Sequence, residues 1–206
     1  MQKFTSLHAI AAPLTRSNVD TDFIIRIERC TRAPRHELGR YAFEAVRFLP
    51  DGAENPAFIL NREPWRHAQI LVCGENFGCG SSREMAVWAL EGLGIRCVIA
   101  PSFGDIFHGN CFQNGVLAIR LPQEAASRLQ ALAADAATAT LSVDLERQSI
   151  TTASNEEISF QVDPLQRKAL LEGRDAIGVT LARDAEIAAW QAADRERRPW
   201  IWRLPT

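Results

Sequence analysis

The stretch Gly74–Glu84, GENFGCGSSRE, concentrates the groups of this chain that could do chemistry. It follows an apolar run, Gln69–Cys73, and precedes a segment that puts Ala86, Ala89, Leu90 and Leu93 on one helical face. A strand that enters a glycine-rich turn and then a helix gathers backbone N–H groups and the positive end of a helix dipole, which suits an anion. Ser81 would sit where an alkoxide is least costly, and Arg83 could fork onto a carboxylate. The same residues also fit a purely structural role. Ser81-Ser82-Arg83-Glu84 matches the S-x-x-E capping box, in which Ser81 and Glu84 close the first turn of a helix over Ser82–Gly92. Familiar alternatives fail on spacing: a Walker A loop needs Gly and Lys where Cys79 and Gly80 stand, no GxGxxG is present, and Arg83 takes the last glycine position of GxSxG. Cys79 lacks the following Cys and aromatic residue of a cysteine-protease loop.

Two further segments belong with this one. NVDTD (Asn18–Asp22) reads as an Asx-rich turn, although its carboxylates could also orient an arginine or a substrate hydroxyl. Ser102–Gly115 reads as a second strand-to-helix junction, placing Ser102 and Asp105 at the same sheet edge, with His108 as either a surface or a catalytic residue. Ligands of open α/β sheets lie beyond the carboxyl ends of parallel strands, so the two junctions make one candidate site.

The elements that must position these residues follow from periodicity. Residues 6–14 read as a strand, followed by a turn at Ser17-Asn18 and a short apolar element, Phe23–Ile27. The Arg- and Pro-rich stretch 28–64 reads as loop with one short helix. Strands at 69–73, 97–100 and 116–121, alternating with helices at 82–92 and 103–113, predict a parallel α/β layer with right-handed crossovers. An Ala/Leu-rich helix over 123–134 leads to three alternating segments, 140–145, 149–152 and 157–162, expected to pair antiparallel. Asp163-Pro164 opens a helix ending near Gly173, and 185–193 forms a last helix. The tail RRPWIWRLPT, about residues 191–206 with what precedes it, exposes Trp200 and Trp202 unless a partner covers them.

The chain has 206 residues, 47% apolar and 23% charged, with a formal net charge of −2, and is read as one domain over 1–206. That balance excludes disorder and a binder of nucleic acid driven by bulk charge. No apolar run approaches the roughly 20 residues of a membrane span, and the first residues do not fit a secretory signal, so a cytoplasmic protein without nucleic-acid or membrane partners is expected. Of 23 basic residues only Lys3 and Lys168 are lysine. Arg26, Arg29, Arg32, Arg35, Arg40 and Arg47 cluster in one stretch, which could face an anionic ligand or simply form a solvated surface. The five cysteines, at 30, 73, 79, 97 and 111, show no CxxC and no metal-ligand spacing to a histidine, so no metal site is expected in this chain.

Taken together, NVDTDFII, GENFGCGSSRE, VIAPSFGDIFHGNCFQNGVL and DAIGVTLARDAEIAAW resemble the small subunits of 3-isopropylmalate dehydratases, the detached swivelling domain of the aconitase superfamily. The likeness runs from about residue 8 to about residue 190. It implies an α/β fold of the swivelling β/β/α type, with the strand–helix–strand–helix–strand centre and added C-terminal strands and helices. It also implies a hydro-lyase subunit, inactive alone, that pairs with a large subunit carrying a [4Fe–4S] cluster. The reaction would interconvert 2-isopropylmalate and 3-isopropylmalate in leucine biosynthesis, with the partner's open iron as Lewis acid on the leaving hydroxyl. By resemblance, Ser81 is the base that removes the carbon-bound proton, Ser82 and Arg83 hold a substrate carboxylate, and Asp22 lines the site. An unaided serine is too weak a base at neutral pH, so its alkoxide would need neighbouring donors.

Met85 and Arg26 stand where the family usually has His and Pro, and 27–46 lacks the family's usual TRTGFG-like stretch. That loop helps the family choose the substrate's side group, which makes Arg26, Arg29, Arg32 and Arg35 candidate specificity residues here. Other readings are open: a hydro-lyase subunit for citramalate, dimethylmalate or another substituted malate; a non-catalytic regulatory or binding paralogue; or a stand-alone phosphate- or nucleotide-binding α/β domain using Gly74–Gly80.

Overall fold

The computed structural model describes residues 1–202. Seven strands form one mixed sheet in the order β4-β3-β2-β1-β5-β6-β7. They are β1 (Ser6–Leu14), β2 (Ile70–Cys73), β3 (Cys97–Ala100), β4 (Leu117–Arg120), β5 (Thr140–Asp144), β6 (Ser149–Thr151) and β7 (Glu157–Ser159). β1 divides its pairing by length. Ser6–Ile10 run antiparallel to β5, whereas Ala11–Leu14 run parallel to β2. The expected parallel centre is present, β2 to β3 to β4, and β5–β7 add the expected antiparallel meander.

Burial follows the sequence pattern. ILVC of β2 and CVIA of β3 are buried at all four positions, as central strands covered on both faces must be, while β5 alternates buried and half-buried. The helices are α1 (Thr21–Ile24), α2 (Ile27–Arg32), α3 (Leu38–Tyr41), α4 (Glu44–Arg47), α5 (Glu84–Gly92), α6 (Asp105–Gln113), α7 (Gln123–Ala133), α8 (Pro164–Glu172), α9 (Ala176–Leu181) and α10 (Asp184–Arg197). Gly39 of α3 packs backbone to backbone against Gly92 of α5. A Cβ on Gly39 would lie 2.2 Å from the Gly92 carbonyl carbon, so these backbones touch only because neither residue has a side chain.

Several expectations need correction. The stretch 28–64 is not mainly loop: it forms α2, α3 and α4 with intervening 3₁₀ turns, because Leu38, Ala42 and Phe43 drop into the core between arginines. The element at Phe23–Ile27 is split, with Ile24 and Ile25 buried and α1 ending before α2 begins. The last helix is longer than 185–193 and is preceded by α9, capped by the Asp175 carboxylate on the Gly178 N–H at 2.7 Å. α8 starts as expected, with Asp163 accepting from the N–H groups of Leu165 and Gln166 and Gly173 in the left-handed region at its end. Of the two tail tryptophans Trp200 is exposed, but Trp202 is half-buried: its indole N–H donates to Asp194 at 2.9 Å and Arg195 lies over its ring. The tail residues 203–206 lie outside the described residues.

Candidate functional site

Three loops leave the carboxyl ends of parallel strands β1, β2 and β3 and are stitched to one another by backbone bonds. The Phe77 N–H donates to the Ser102 carbonyl at 3.1 Å, and the Gly104 N–H returns to the Phe77 carbonyl at 3.0 Å. On the other side the Gly78 N–H donates to the Val19 carbonyl at 2.7 Å, and the Asn18 N–H to the Glu75 carbonyl at 2.9 Å. Asn18 and Asn76 both have φ of +55°, a conformation asparagine tolerates better than most residues, and their side chains join at 2.7 Å. Ser102 contributes its hydroxyl as acceptor for the Asn76 N–H at 2.8 Å. The NVDTD, GCGSSRE and SFGD segments therefore form one assembly, as the sequence predicts.

Glycine is required at Gly78. Its φ is +73°, and a Cβ there would fall 2.1 Å from Cγ of Phe107, which is itself buried under Phe77 and Phe103. The loop carrying Ser81 lies flat on α6 for that reason.

The capping box does not form. α5 begins at Glu84 with Arg83 as its N-cap, and no side chain caps it. Ser81 and Glu84 are drawn elsewhere. The Ser81 carbonyl accepts from the Arg83 N–H at 2.8 Å and from the Thr21 hydroxyl at 3.0 Å, while the Glu84 carboxylate accepts from Nδ2 of Asn114 at 2.8 Å. These contacts leave Ser82 and Arg83 outside the helix, and the Ser81 and Ser82 side chains exposed at the approach to its N-terminus.

Arg83 and Asp22 face each other. Arg83 Nη1 contacts the Asp22 carboxylate, with the Arg83 side chain 14% exposed and Asp22 54% exposed. The guanidinium holds the Asp22 carboxyl below the usual carboxylate range, against a smaller opposing effect of burial, and Asp22 in turn raises the pKa of Arg83. The contact is an ion pair, not an aligned hydrogen bond: buried Nη1 has no acceptor in good hydrogen-bond geometry. Beside them, Cys30 is half-buried, and its thiol is pushed up by burial despite Arg83.

The arginine-rich segment is divided in its commitments. Arg29 is locked to Glu44, with Nε–Oε2 at 2.9 Å, and lies over the Tyr41 ring. Arg35 bonds Glu91 at 2.9 Å and Asn114 Oδ1 at 3.2 Å and stacks on Trp88. Arg26 and Arg32 are exposed and make no ion pair among the described residues. His108 packs between Phe103 and Phe112, and burial lowers its pKa to about 4, which makes it a neutral packing residue. Asp105 is almost fully exposed near Arg120.

Sequence reading missed two residues that hold the site. Thr21 stands inside the NVDTD motif but was read only as part of a turn, and Asn114 only as the end of a helix. Asn114 is 7% exposed and its amide is fully used: Oδ1 accepts from Trp88 and Arg35, and Nδ2 donates to Glu84 and to the Asn110 carbonyl. No local signal marks either role, because both depend on contacts across the sheet edge.

Comparison with known proteins identifies the family. The family model of the aconitase C-terminal domain matches residues 1–124, and a second model, described as LeuD_N, matches 127–164. A protein of Gluconobacter oxydans named 3-isopropylmalate dehydratase small subunit is 53% identical over 201 residues, covering 98% of this chain and 96% of the relative. The chain belongs to the family of 3-isopropylmalate dehydratase small subunits. A second member, from Granulibacter bethesdensis, is 52% identical over 204 residues, 99% of this chain and 98% of its own. A crystal structure of 3-isopropylmalate dehydratase (leuD) from Methanocaldococcus jannaschii superposes with a TM-score of 0.66 at 24% identity, covering 89% of this chain and 98% of that one, and shows the shared fold. The mixed, curled α/β sheet is thus the aconitase-type fold that the resemblance implied. As a small subunit of this family, the chain has a large-subunit partner. Among the described residues no group of three or more His, Cys, Asp or Glu side chains could hold a metal ion, and no helix is long and apolar enough to cross a membrane.

Proposed function

We propose that this chain is the small subunit of a 3-isopropylmalate dehydratase and, joined to its large subunit, interconverts 2-isopropylmalate and 3-isopropylmalate by dehydration and rehydration in leucine biosynthesis. The observation that carries the reading is half identity with named small subunits over nearly the whole chain, with the NVDTD and GCGSSRE loops hydrogen-bonded into one site. Residues 1–206 act as one swivelling domain in the cytoplasm.

The site residues divide the work by their chemistry. Ser81 takes the carbon-bound proton as its alkoxide, formed by release of the hydroxyl proton to solvent before the partner closes. The alkoxide then needs hydrogen-bond donors in the closed site, since exclusion of water alone disfavours it. Arg83 binds a substrate carboxylate through the part of its guanidinium that Asp22 does not engage, and the support for this is a mostly enclosed cation beside two exposed serines. Ser82, exposed beside it, adds a hydroxyl donor to the same carboxylate. Asp22 lines the site and orients Arg83.

This chain does not fit an iron–sulfur cluster. Cys73, Cys97 and Cys111 are fully buried with thiols pushed far up by burial, and Cys30 and Cys79 join no group of three ligands. The [4Fe–4S] cluster that the family resemblance implies would then be held by the large subunit. Arg26 and Arg32, the uncommitted cations of the 26–35 segment, are the ones left to face the variable side group, while Arg29 and Arg35 shape that segment through their ion pairs.

The test is hydration of isopropylmaleate, followed by loss of its ultraviolet absorbance, with the purified chain alone and mixed anaerobically with the cluster-loaded large subunit of the same genome. Turnover in the mixture alone is the expected result. Assembly without turnover on isopropylmaleate, but with turnover on citramalate or dimethylmalate, would overturn the substrate assignment. Failure to assemble would overturn the subunit reading.

A further inference from the structure

The peptide that carries Ser81 is held from outside its own loop by one buried side chain. Thr21 is 1% exposed and begins α1, a position whose backbone N–H has no acceptor within its helix. That N–H donates to the Cys79 carbonyl at 3.0 Å, and the hydroxyl of the same residue donates to the Ser81 carbonyl at 3.0 Å. The two carbonyls flank Gly80, which has φ of +87° and would place a Cβ 3.4 Å from Cβ of Asp20. Thr21 therefore grips both sides of the turn, and the Arg83 N–H closes the Ser81 carbonyl from the third direction at 2.8 Å. Among the described residues, the polar contacts reaching 80–83 from this neighbouring loop come from Thr21 and Asp22, one to the backbone and one to the guanidinium.

We infer that Thr21 is the positioning residue for Ser81: its hydroxyl fixes the Ser81 peptide so that the exposed Oγ is presented to the substrate while remaining free of any capping duty. The inference rests on the reading of Ser81 as the base. Proton abstraction from carbon tolerates little misplacement, since a reacting atom moved by about 1 Å can cost about 100-fold in rate. A serine on an unsupported glycine turn would sample many positions. Its carbonyl, fixed by two donors, leaves the side-chain torsion as its remaining freedom.

Three variants test it in the assembled enzyme. Thr21→Val keeps the volume and the backbone bond to Cys79 but removes the hydroxyl, and Thr21→Ser keeps the hydroxyl. Thr21→Val should lower kcat for isopropylmaleate about 10- to 100-fold with KM within about twofold, because Arg83 still binds the carboxylate. Thr21→Ser should return kcat to within about threefold of the native value. Asp22→Asn is the contrasting variant, moving KM. A second measurement needs no turnover: amide hydrogen exchange of the isolated chain at Arg83, whose N–H donates to the Ser81 carbonyl. Exchange there should be faster in Thr21→Val and native-like in Thr21→Ser, with protection of β2 and β3 unchanged. Unchanged kcat and unchanged Arg83 exchange in Thr21→Val would overturn the inference. So would equal damage to kcat and KM that Thr21→Ser does not rescue. If the native assembly fails on isopropylmaleate, the functional reading falls, and the exchange result still decides the clamp.

Discussion

Arg83 and Asp22 meet across two loops that leave neighbouring parallel strands, and the pair leaves the guanidinium mostly enclosed while half of the carboxylate faces solvent. On the proposed reading, the enclosed arginine and the exposed serine pair receive a substrate carboxylate, with Asp22 setting the angle of the fork. Asp22→Asn should keep the shape but free Arg83 to turn. The expected result is a rise of about 10-fold in KM for isopropylmaleate. Stability to urea should change by less than about 1 kcal/mol, because the carboxylate is too exposed for the pair to be worth more. Steady-state kinetics and a urea titration on the same preparation check both halves.

Asn114 holds the other flank of the site. Its amide ties Glu84, the residue after Arg83, to Trp88, Arg35 and the last turn of α6. Asn114→Ala leaves the half-buried Trp88 N–H and the Glu84 carboxylate without this partner, and should cost about 2–3 kcal/mol of stability. Asn114→Asp should be worse at neutral pH, since it places a second carboxylate against Glu84. The midpoint of chemical unfolding at constant m-value is the measurement.

His108 gives a pH signature that owes nothing to catalysis. Burial between Phe103 and Phe112, with Arg120 adding to the effect and Asp105 opposing it, keeps the folded imidazole neutral down to about pH 4. The unfolded chain protonates near the ordinary value of 6.5. The unfolded state therefore binds the extra proton as pH falls from about 6.5 to about 4, and stability is lost across that window, by at most about 3 kcal/mol. His108→Phe should flatten this slope. Unfolding free energies measured at pH 7, 5.5 and 4.5 for both proteins test it, and equal slopes would show that His108 is not held neutral.

How much of this was legible beforehand depends on the range of the contacts. The all-apolar runs of β2 and β3 and the alternation of β5 declare their burial locally, so the parallel centre and the antiparallel meander are readable, though not the order of the strands. Asp163-Pro164 and Gly173 mark α8 at both ends for the same reason. Failures came where a distant partner outbid a local motif. Ser81 and Glu84 have the residue types of a capping box, but Asn114 takes the Glu84 carboxylate while Thr21 and the Arg83 N–H hold the Ser81 carbonyl, and α5 starts at Glu84 instead of Ser82. The stretch 28–64 carries prolines and arginines that read as loop. It is made helical in short pieces by Leu38, Ala42 and Phe43 packing into the core and by the Arg29–Glu44 pair. The cover of Trp202 is not legible locally because its acceptor, Asp194, lies eight residues earlier, in the last turn of a helix that extends beyond the expected 185–193.

Whether Ser81 is the base is decided by its removal. Native chain and Ser81→Ala are each assembled with the cluster-loaded large subunit, and kcat for hydration of isopropylmaleate is compared with the affinity of the two subunits for each other. The expected result is subunits that still assemble, since the Ser81 hydroxyl caps nothing within its own chain, and a kcat reduced by about 100- to 10,000-fold. A Ser81→Ala enzyme that turns over within about twofold of the native rate would contradict it.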